Sequence, residues 1–218
     1  MSKRALSVLL VIGTLSPGAL AAQGVGLGAR AGTLGLGGEV AIEVTPSLVV
    51  RGGLGIVPFE PSMTFSDVDV SLKLPTVYNV GVDLYLNGAV RVGGGILFRS
   101  GDPELKGEFN TSQDIGGTTF TPQELGTLTG VLDAKNRAPY VLLGFGRHTA
   151  EGTGLFLDLG IVVTGEPDVR LSASGGTLSD DPSTVDALRL EAADFEDDMR
   201  SYLKIWPILS LGIRFGAQ

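Results

Sequence analysis

VDVSLKLPTVYNVGVDLYL, residues 68–86, alternates in polarity from end to end. Val68, Val70, Leu72, Leu74, Tyr78, Val80, Val82, Leu84 and Leu86 hold even positions, with Thr76 the one polar member. The odd positions carry Asp69, Ser71, Lys73, Pro75, Asn79, Gly81 and Asp83 among others. A β-strand sends successive side chains to opposite faces, so this segment has one greasy face and one mostly polar face. Strands of soluble cores run to about 5–6 residues. The length here predicts a strand that crosses a bilayer and projects beyond it, its first residues to about Lys73 forming an external ribbon. Pro75 removes a ladder donor, which predicts a bulge or local break there.

Outward from this stretch the same period recurs. Strands are predicted over 24–32, 35–45, 48–57, 68–86, 89–99, 138–147, 155–164 and 203–215, the sixth without clear alternation because Tyr140–Phe145 is apolar on both faces. The parity of the apolar residues flips between Ala31 and Leu34, which requires a tight turn at Thr33–Gly35. Asn87-Gly88 is the strongest short hairpin signal in the chain. The connections at 45–47, 87–88 and 148–153 are short, and those at 58–67, 100–136 and 165–202 are long. Within the second long loop Thr127–Leu132 is suited to extending the ribbon. In the last, Val185, Leu188, Ala192, Phe195, Met199 and Tyr202 recur at three- and four-residue steps. That spacing predicts a helix over 182–202, with Asp181 as N-cap and Pro182 at its first position. Its apolar stripe is expected to cap the barrel mouth, and its face of Glu191, Asp194, Glu196, Asp197 and Asp198 to be solvated.

The N-terminus reads as an export signal. Lys3 and Arg4 precede an apolar run from Ala5 to Leu15, and Ala19-Leu20-Ala21 fits a small-residue cleavage site. The expected domains are a signal peptide over 1–21 and a barrel over 22–218. Loss of Lys3 and Arg4 takes the net charge from −8 to −10, which excludes nucleic acid as a partner on electrostatic grounds. The chain has no Cys, so thiolate metal sites and a lipid-bearing cysteine are excluded. Its 33 glycines follow no collagen period and suit closely packed, bending strands.

Assembled, these segments predict an all-β, eight-stranded antiparallel up-and-down transmembrane barrel with a short helix in the last long loop. Short turns on one side and long loops on the other, with the tight first hairpin as the exception, put both termini at the periplasmic end. Val80, Val82, Leu84, Leu157, Leu159, Ile161, Leu209, Leu211 and Ile213 are expected to face lipid. Arg30, Glu39, Glu43, Arg51, Lys73, Asp83, Arg91, Arg99, Asp158, Lys204 and Arg214 are expected inside, joined by Asp69. Such a set cannot line a dry sandwich core unless nearly every charge is paired. An eight-stranded barrel is narrow and filled by side chains, so a plugged lumen is expected.

The alternating strands, the signal peptide and the last strand, KIWPILSLGIRF over 204–215, resemble the small outer-membrane barrels of Gram-negative bacteria, the OmpA- and OmpW-type proteins. Gly32–Gly37, Ile115–Phe120 and Ala138–Tyr140 resemble a subgroup of them. The resemblance implies residence in the outer membrane among lipid and lipopolysaccharide, and insertion by the barrel-assembly machinery. Such chains usually end on the aromatic residue; here Gly216, Ala217 and Gln218 follow Phe215. The expected role is non-enzymatic, structural or in surface interaction, without cofactor or metal. The alternatives are a narrow OmpW-like channel for small molecules, a lipid-modifying enzyme, and a soluble periplasmic barrel holding a ligand. His148, the only histidine, has Thr149 beside it and Glu151 near it, but no Ser, and is expected to be a solvated turn residue. The acidic run at 196–198 lacks the ligand spacing of a calcium loop. The sequence carries no signature of oligomeric state.

Overall fold

Strands with one apolar and one charged face leave no open edge only if they close on themselves. The computed structural model describes residues 24–65, 68–166 and 168–217. The expected signal peptide and its cleavage point lie outside these residues. In chain order the strands are β1 (Val25–Gly32), β2 (Gly35–Thr45), β3 (Leu48–Ile56), β4 (Ser62–Phe65), β5 (Val68–Lys73), β6 (Thr76–Tyr85), β7 (Val90–Ser100), β8 (Glu104–Phe109), β9 (Gln113–Ile115) and β10 (Thr118–Phe120). A one-turn helix α1 (Pro122–Leu125) leads to β11 (Gly126–Asp133), β12 (Arg137–Phe145), β13 (Gly152–Val163) and β14 (Asp168–Gly175). Helix α2 (Pro182–Leu203) precedes the last strand, β15 (Ile205–Ala217).

Eight strands, in the order β1-β15-β13-β12-β7-β6-β3-β2, form a closed antiparallel barrel. The seam runs from Val25↔Ala217 to Gly32↔Ser210. This is the barrel that the alternation predicts, with two of its turns at Thr33–Leu34 and Asn87–Ala89. On β6, Asn79, Asp83 and Tyr85 are buried while Val80, Val82 and Leu84 are exposed. The same alternation gives β15 an exposed row of Leu209, Leu211 and Ile213 and buried Ile208 and Ser210. Leu159 and Ile161 are also exposed, and Leu157 is half-buried on the same outward face. The barrel's outer surface is therefore a continuous apolar band, with Tyr78 and Phe98 toward the long-loop end and Phe145 and Phe215 toward the short-turn end.

The opening stretch is two strands. It breaks at Leu74-Pro75, where β5 leaves the barrel wall. β5, β8, β11 and β14 continue the neighbouring barrel strands β6, β7, β12 and β13 beyond the mouth, in the same order, and β4 adds an edge. This five-stranded sheet is a hood over one side of the mouth. Val70, Leu72, Leu105, Leu128 and Leu171 share its inner face by register, whereas Ser71 and Lys106 share the outer one. Pro207 carries no N–H, and it lies three residues beyond Ser210, the last β1 partner, where Thr33 Oγ1 donates to its carbonyl at 2.8 Å.

α2 does not cap the mouth. It lies along β14 and the β9–β10 hairpin. Asp181 accepts from the Ser183 N–H at 2.9 Å, the expected N-cap. The Ser183 hydroxyl and amide hold the Asp181 carboxyl below the usual carboxylate range. The buried face of α2 is rotated from the expected stripe. Thr184, Ala187, Leu188 and Ala192 are buried, whereas Val185 and Phe195 are exposed. The reason is close approach: the hairpin turn at Gly116 sits against the Ala187 backbone, and a side chain there would collide with it. Glu191 fixes the contact by accepting from the Gly116 N–H at 3.0 Å. Ala187 and Leu188 close a small core with Ile115, Phe120 and Leu125. Met199 and Tyr202 belong to the side chains outside the described set.

Two interior glycines make room for charge. A Cβ at Gly144 would overlap the Arg91 guanidinium, and one at Gly93 would overlap the Asp83 carboxylate. Overpacking a filled interior costs about 1–3 kcal/mol or more. Gly144→Val should therefore lower the yield of barrel that shows heat-modifiable gel mobility. Gly88→Ala, in a turn with nothing within 4 Å, should leave it unchanged.

Candidate functional site

Inward-facing positions on a closed wall of eight strands converge on a narrow axis, so their side chains must share it. The lumen is filled in three layers. At the short-turn end the 146–151 connection folds inward. Gly146 takes φ +94°, the left-handed region, which allows the chain to leave β12 at a sharp angle. Arg147 then pairs with Glu43 at 2.9 Å, donates to the Pro46 carbonyl at 2.8 Å and covers the Tyr85 ring. Thr149 donates to the same Glu43 carboxylate at 2.7 Å.

The middle layer is ionic. Arg51 from β3 and Arg91 from β7 alternate with Asp83 from β6 and Asp158 from β13 in a closed square. Arg51 meets Asp158 at 2.6 Å and Asp83 at 3.3 Å. Arg91 meets Asp83 at 3.2 Å and clasps Asp158 through both terminal nitrogens. Glu39 on β2 attaches a further arm. It lies 3.4 Å from Arg51 and 3.8 Å from Arg30, whose other nitrogen donates to Asn79 at 2.7 Å. Arg30, Arg51 and Arg91 against Glu39, Asp83 and Asp158 make three cations and three anions, all buried. This balance offsets the cost of burying the charges, since an unmatched charge there would cost several kcal/mol.

His148 is the major correction to the sequence reading. It is 1 % exposed, not a solvated turn residue, because the inward fold of its loop drives the ring under the ionic layer. Nε2 lies 2.5 Å from Glu39 Oε1, and Nδ1 lies 3.3 Å from Arg91 Nε and 3.4 Å from the Tyr85 hydroxyl. These partners define one tautomer: Nε2–H donates to Glu39, and Nδ1 accepts from Arg91. The ring also packs on Phe156 at 4.5 Å between centroids.

Glu39, His148 and Asp158 each present a ligand atom within 4.8 Å of the others. Their outward hydrogen-bonding capacity is already directed at guanidinium groups and at one another. A metal ion would have to enter a layer already neutral and displace Arg51 or Arg91 from Asp158. The arrangement is that of a salt-bridge plug.

The third layer is apolar. Leu34, Leu97, Ala138, Tyr140, Leu142, Val162 and Ile208 are buried together, with Val77 and Trp206 against them. Between it and the charges is a void of about 10 Å³, the space of one water molecule.

Other residues expected inside lie elsewhere. Lys73 is on the hood, its side chain 57 % exposed and paired with Glu104 at 3.5 Å. β5 has left the wall by that point, so its polar face looks to solvent. Asp69 is on the same strand and is exposed. Arg99 sits at the mouth, bound to Asp102 at 2.8 Å and to the Ala134 carbonyl at 2.5 Å. Lys204 is also at the mouth, 2.7 Å from Glu166 and partly exposed. Arg214 lies at the opposite end and donates to the Ala150 carbonyl of the folded-in loop and to the Gly152 carbonyl at the start of β13. Glu43 is half-buried at the base, separate from the central square. Sequence reasoning missed His148, Asn79 and Tyr85. Parity on β6 places Asn79 and Tyr85 inward; nothing in the local sequence signals the fold of 146–151.

No family model matches the sequence, and no curated protein matches it. Solved structures share the fold, two barrels from Acinetobacter baumannii among them. CarO from Acinetobacter baumannii aligns with a TM-score of 0.59 at 21 % identity, over 87 % of this chain and 96 % of its own. CarO2 from the same organism aligns with a TM-score of 0.59 at 22 % identity, over 89 % and 98 %. At that identity the likeness is one of fold: a small eight-stranded barrel.

Asp158 is one of the two carboxylates that both central arginines share, and the one they approach most closely. Asp158→Asn should destabilise the folded barrel by about 3–5 kcal/mol, read as a lower urea midpoint in detergent. Adding Arg91→Met restores the charge balance and should recover part of that loss.

Proposed function

We propose that this chain is an exported protein of the bacterial outer membrane whose lumen is closed and whose hood acts at the cell surface. The observation that carries the reading is the stack of layers in the lumen: an inward-folded loop, a neutral ionic square and an apolar plug. Such a stack supports a closed lumen, which favours a structural or surface-interaction role over a narrow channel. The apolar band supports the membrane location. Outward Val80, Val82, Leu84, Leu157, Leu159, Ile161, Leu209, Leu211 and Ile213 suit lipid, and a soluble barrel that held a ligand inside would need the opposite pattern. Against an enzymatic role stands the burial of His148, whose ring atoms are engaged by Glu39, Arg91 and Tyr85.

In this reading the short turns and both termini face the periplasm, and the hood with α2 meets the lipopolysaccharide layer. The absence of cysteine allows a direct test, since any introduced thiol is unique. Leu178→Cys, on the exposed segment before α2, should react with a membrane-impermeant maleimide on intact cells. Asn87→Cys, in the turn between β6 and β7, should react only after the outer membrane is permeabilised. The opposite pattern, or equal labelling of both in intact cells, would overturn the assignment.

A further inference from the structure

The hood and α2 leave a groove between them. It has a volume of about 510 Å³ and runs over the inner face of the sheet, along Leu72, Leu105, Leu128 and Leu171 toward Phe195. A second cavity of about 150 Å³ lies at the barrel mouth, above Leu34 and Leu97. Leu74, Pro103, Leu132 and Trp206 line both, so the two are adjoining parts of one elongated space that ends blindly on the apolar plug. Its size falls in the range of small-molecule sites. Two residues keep it open. Pro75 turns the chain away from the wall at the mouth, and Gly130 leaves the middle of the groove floor bare between Leu105 and Leu171.

The lining states what would fit. It is almost wholly aliphatic and aromatic. Its charged members in the groove are Glu104, Asp114 and Glu191, all acidic. Among the described residues of the lining the one cation, Arg99 in the mouth cavity, is already satisfied by Asp102 and Ala134. An anionic amphiphile would therefore meet repulsion without a free counter-charge. One donor remains: the Trp206 indole lines both cavities, and its N–H is buried with no acceptor among the described residues, so a ligand oxygen reaches it by a turn of the ring toward the cup. A buried donor without a partner costs about 1–3 kcal/mol, which a ligand oxygen would offset.

We propose that this space is a binding cup for an uncharged aliphatic molecule bearing one acceptor oxygen, such as a long-chain alcohol or ester, with its chain along the groove and its oxygen toward Trp206. The cup deepens the closed-lumen reading and rests on it, because an open lumen would make the same space a channel entrance.

Trp206 is the only tryptophan in the sequence and serves as the reporter. The full mature chain is placed in phosphatidylcholine nanodiscs and titrated with a chain-brominated decanol. Quenching should saturate and be reversed by unlabelled 1-decanol, which separates site occupancy from partition into lipid. Decanoate should compete about tenfold or more weakly. Gly130→Leu, which fills the groove floor, should weaken binding by about tenfold or more with heat-modifiable mobility retained. Leu105→Phe, which narrows the groove from the solvent-accessible side, should act in the same direction and guards against a folding defect in the first variant. Quenching that decanol does not reverse, equal affinity in both variants, or tighter binding of decanoate would each overturn the proposal. Ion current through the same protein would sink the closed-lumen reading by a separate readout; lost reversible quenching in non-conducting protein sinks the cup alone.

Discussion

The square of Arg51, Asp83, Arg91 and Asp158 is the interaction on which the rest of the barrel depends. Each corner comes from a different strand, so the square ties β3, β6, β7 and β13 across the axis, while hydrogen bonds tie neighbours around the wall. Four buried charges in so small a space are tolerable only because they alternate in sign and each meets two partners. The design forces two consequences on the sequence. Glycines must stand where the arginine and aspartate side chains need volume, as at Gly144 and Gly93. Alternation along each strand then leaves the apolar residues on the outward face.

His148 extends the same logic to the base of the barrel. Its loop could have remained outside as a simple turn. Folded inward, it brings a neutral ring that donates to Glu39 and accepts from Arg91, completing the underside of the ionic layer without adding charge. Arg147 and Thr149 then seal the base through Glu43. Above the ions lies the apolar layer, and the hood and α2 border the space over it.

Much of this was legible in the sequence. Period-two alternation identified the eight barrel strands, and on β6 its odd positions put Asp83 inside while its even ones put Val80 outside. Pro75 marked the break between β5 and β6, because a proline cannot serve a continuous ladder. What alternation does not carry is depth along the axis. Lys73, Arg99, Lys204 and Arg214 have charges of the kind found inside, yet lie beyond the plug or at its ends; parity alone cannot place them. Nor does it describe turns, so the inward fold that buries His148 left no local signal. The helix showed its period and its N-cap, but its buried face was fixed by contact with Gly116, a residue distant in sequence.

The central claim is that the filled lumen is closed from end to end. Purified, detergent-folded protein reconstituted into a planar lipid bilayer tests it most directly. The account predicts insertion, verified by heat-modifiable mobility of the reconstituted sample, with no resolvable single-channel current across a wide voltage range. Regular, voltage-stable openings from the unaltered chain would contradict it.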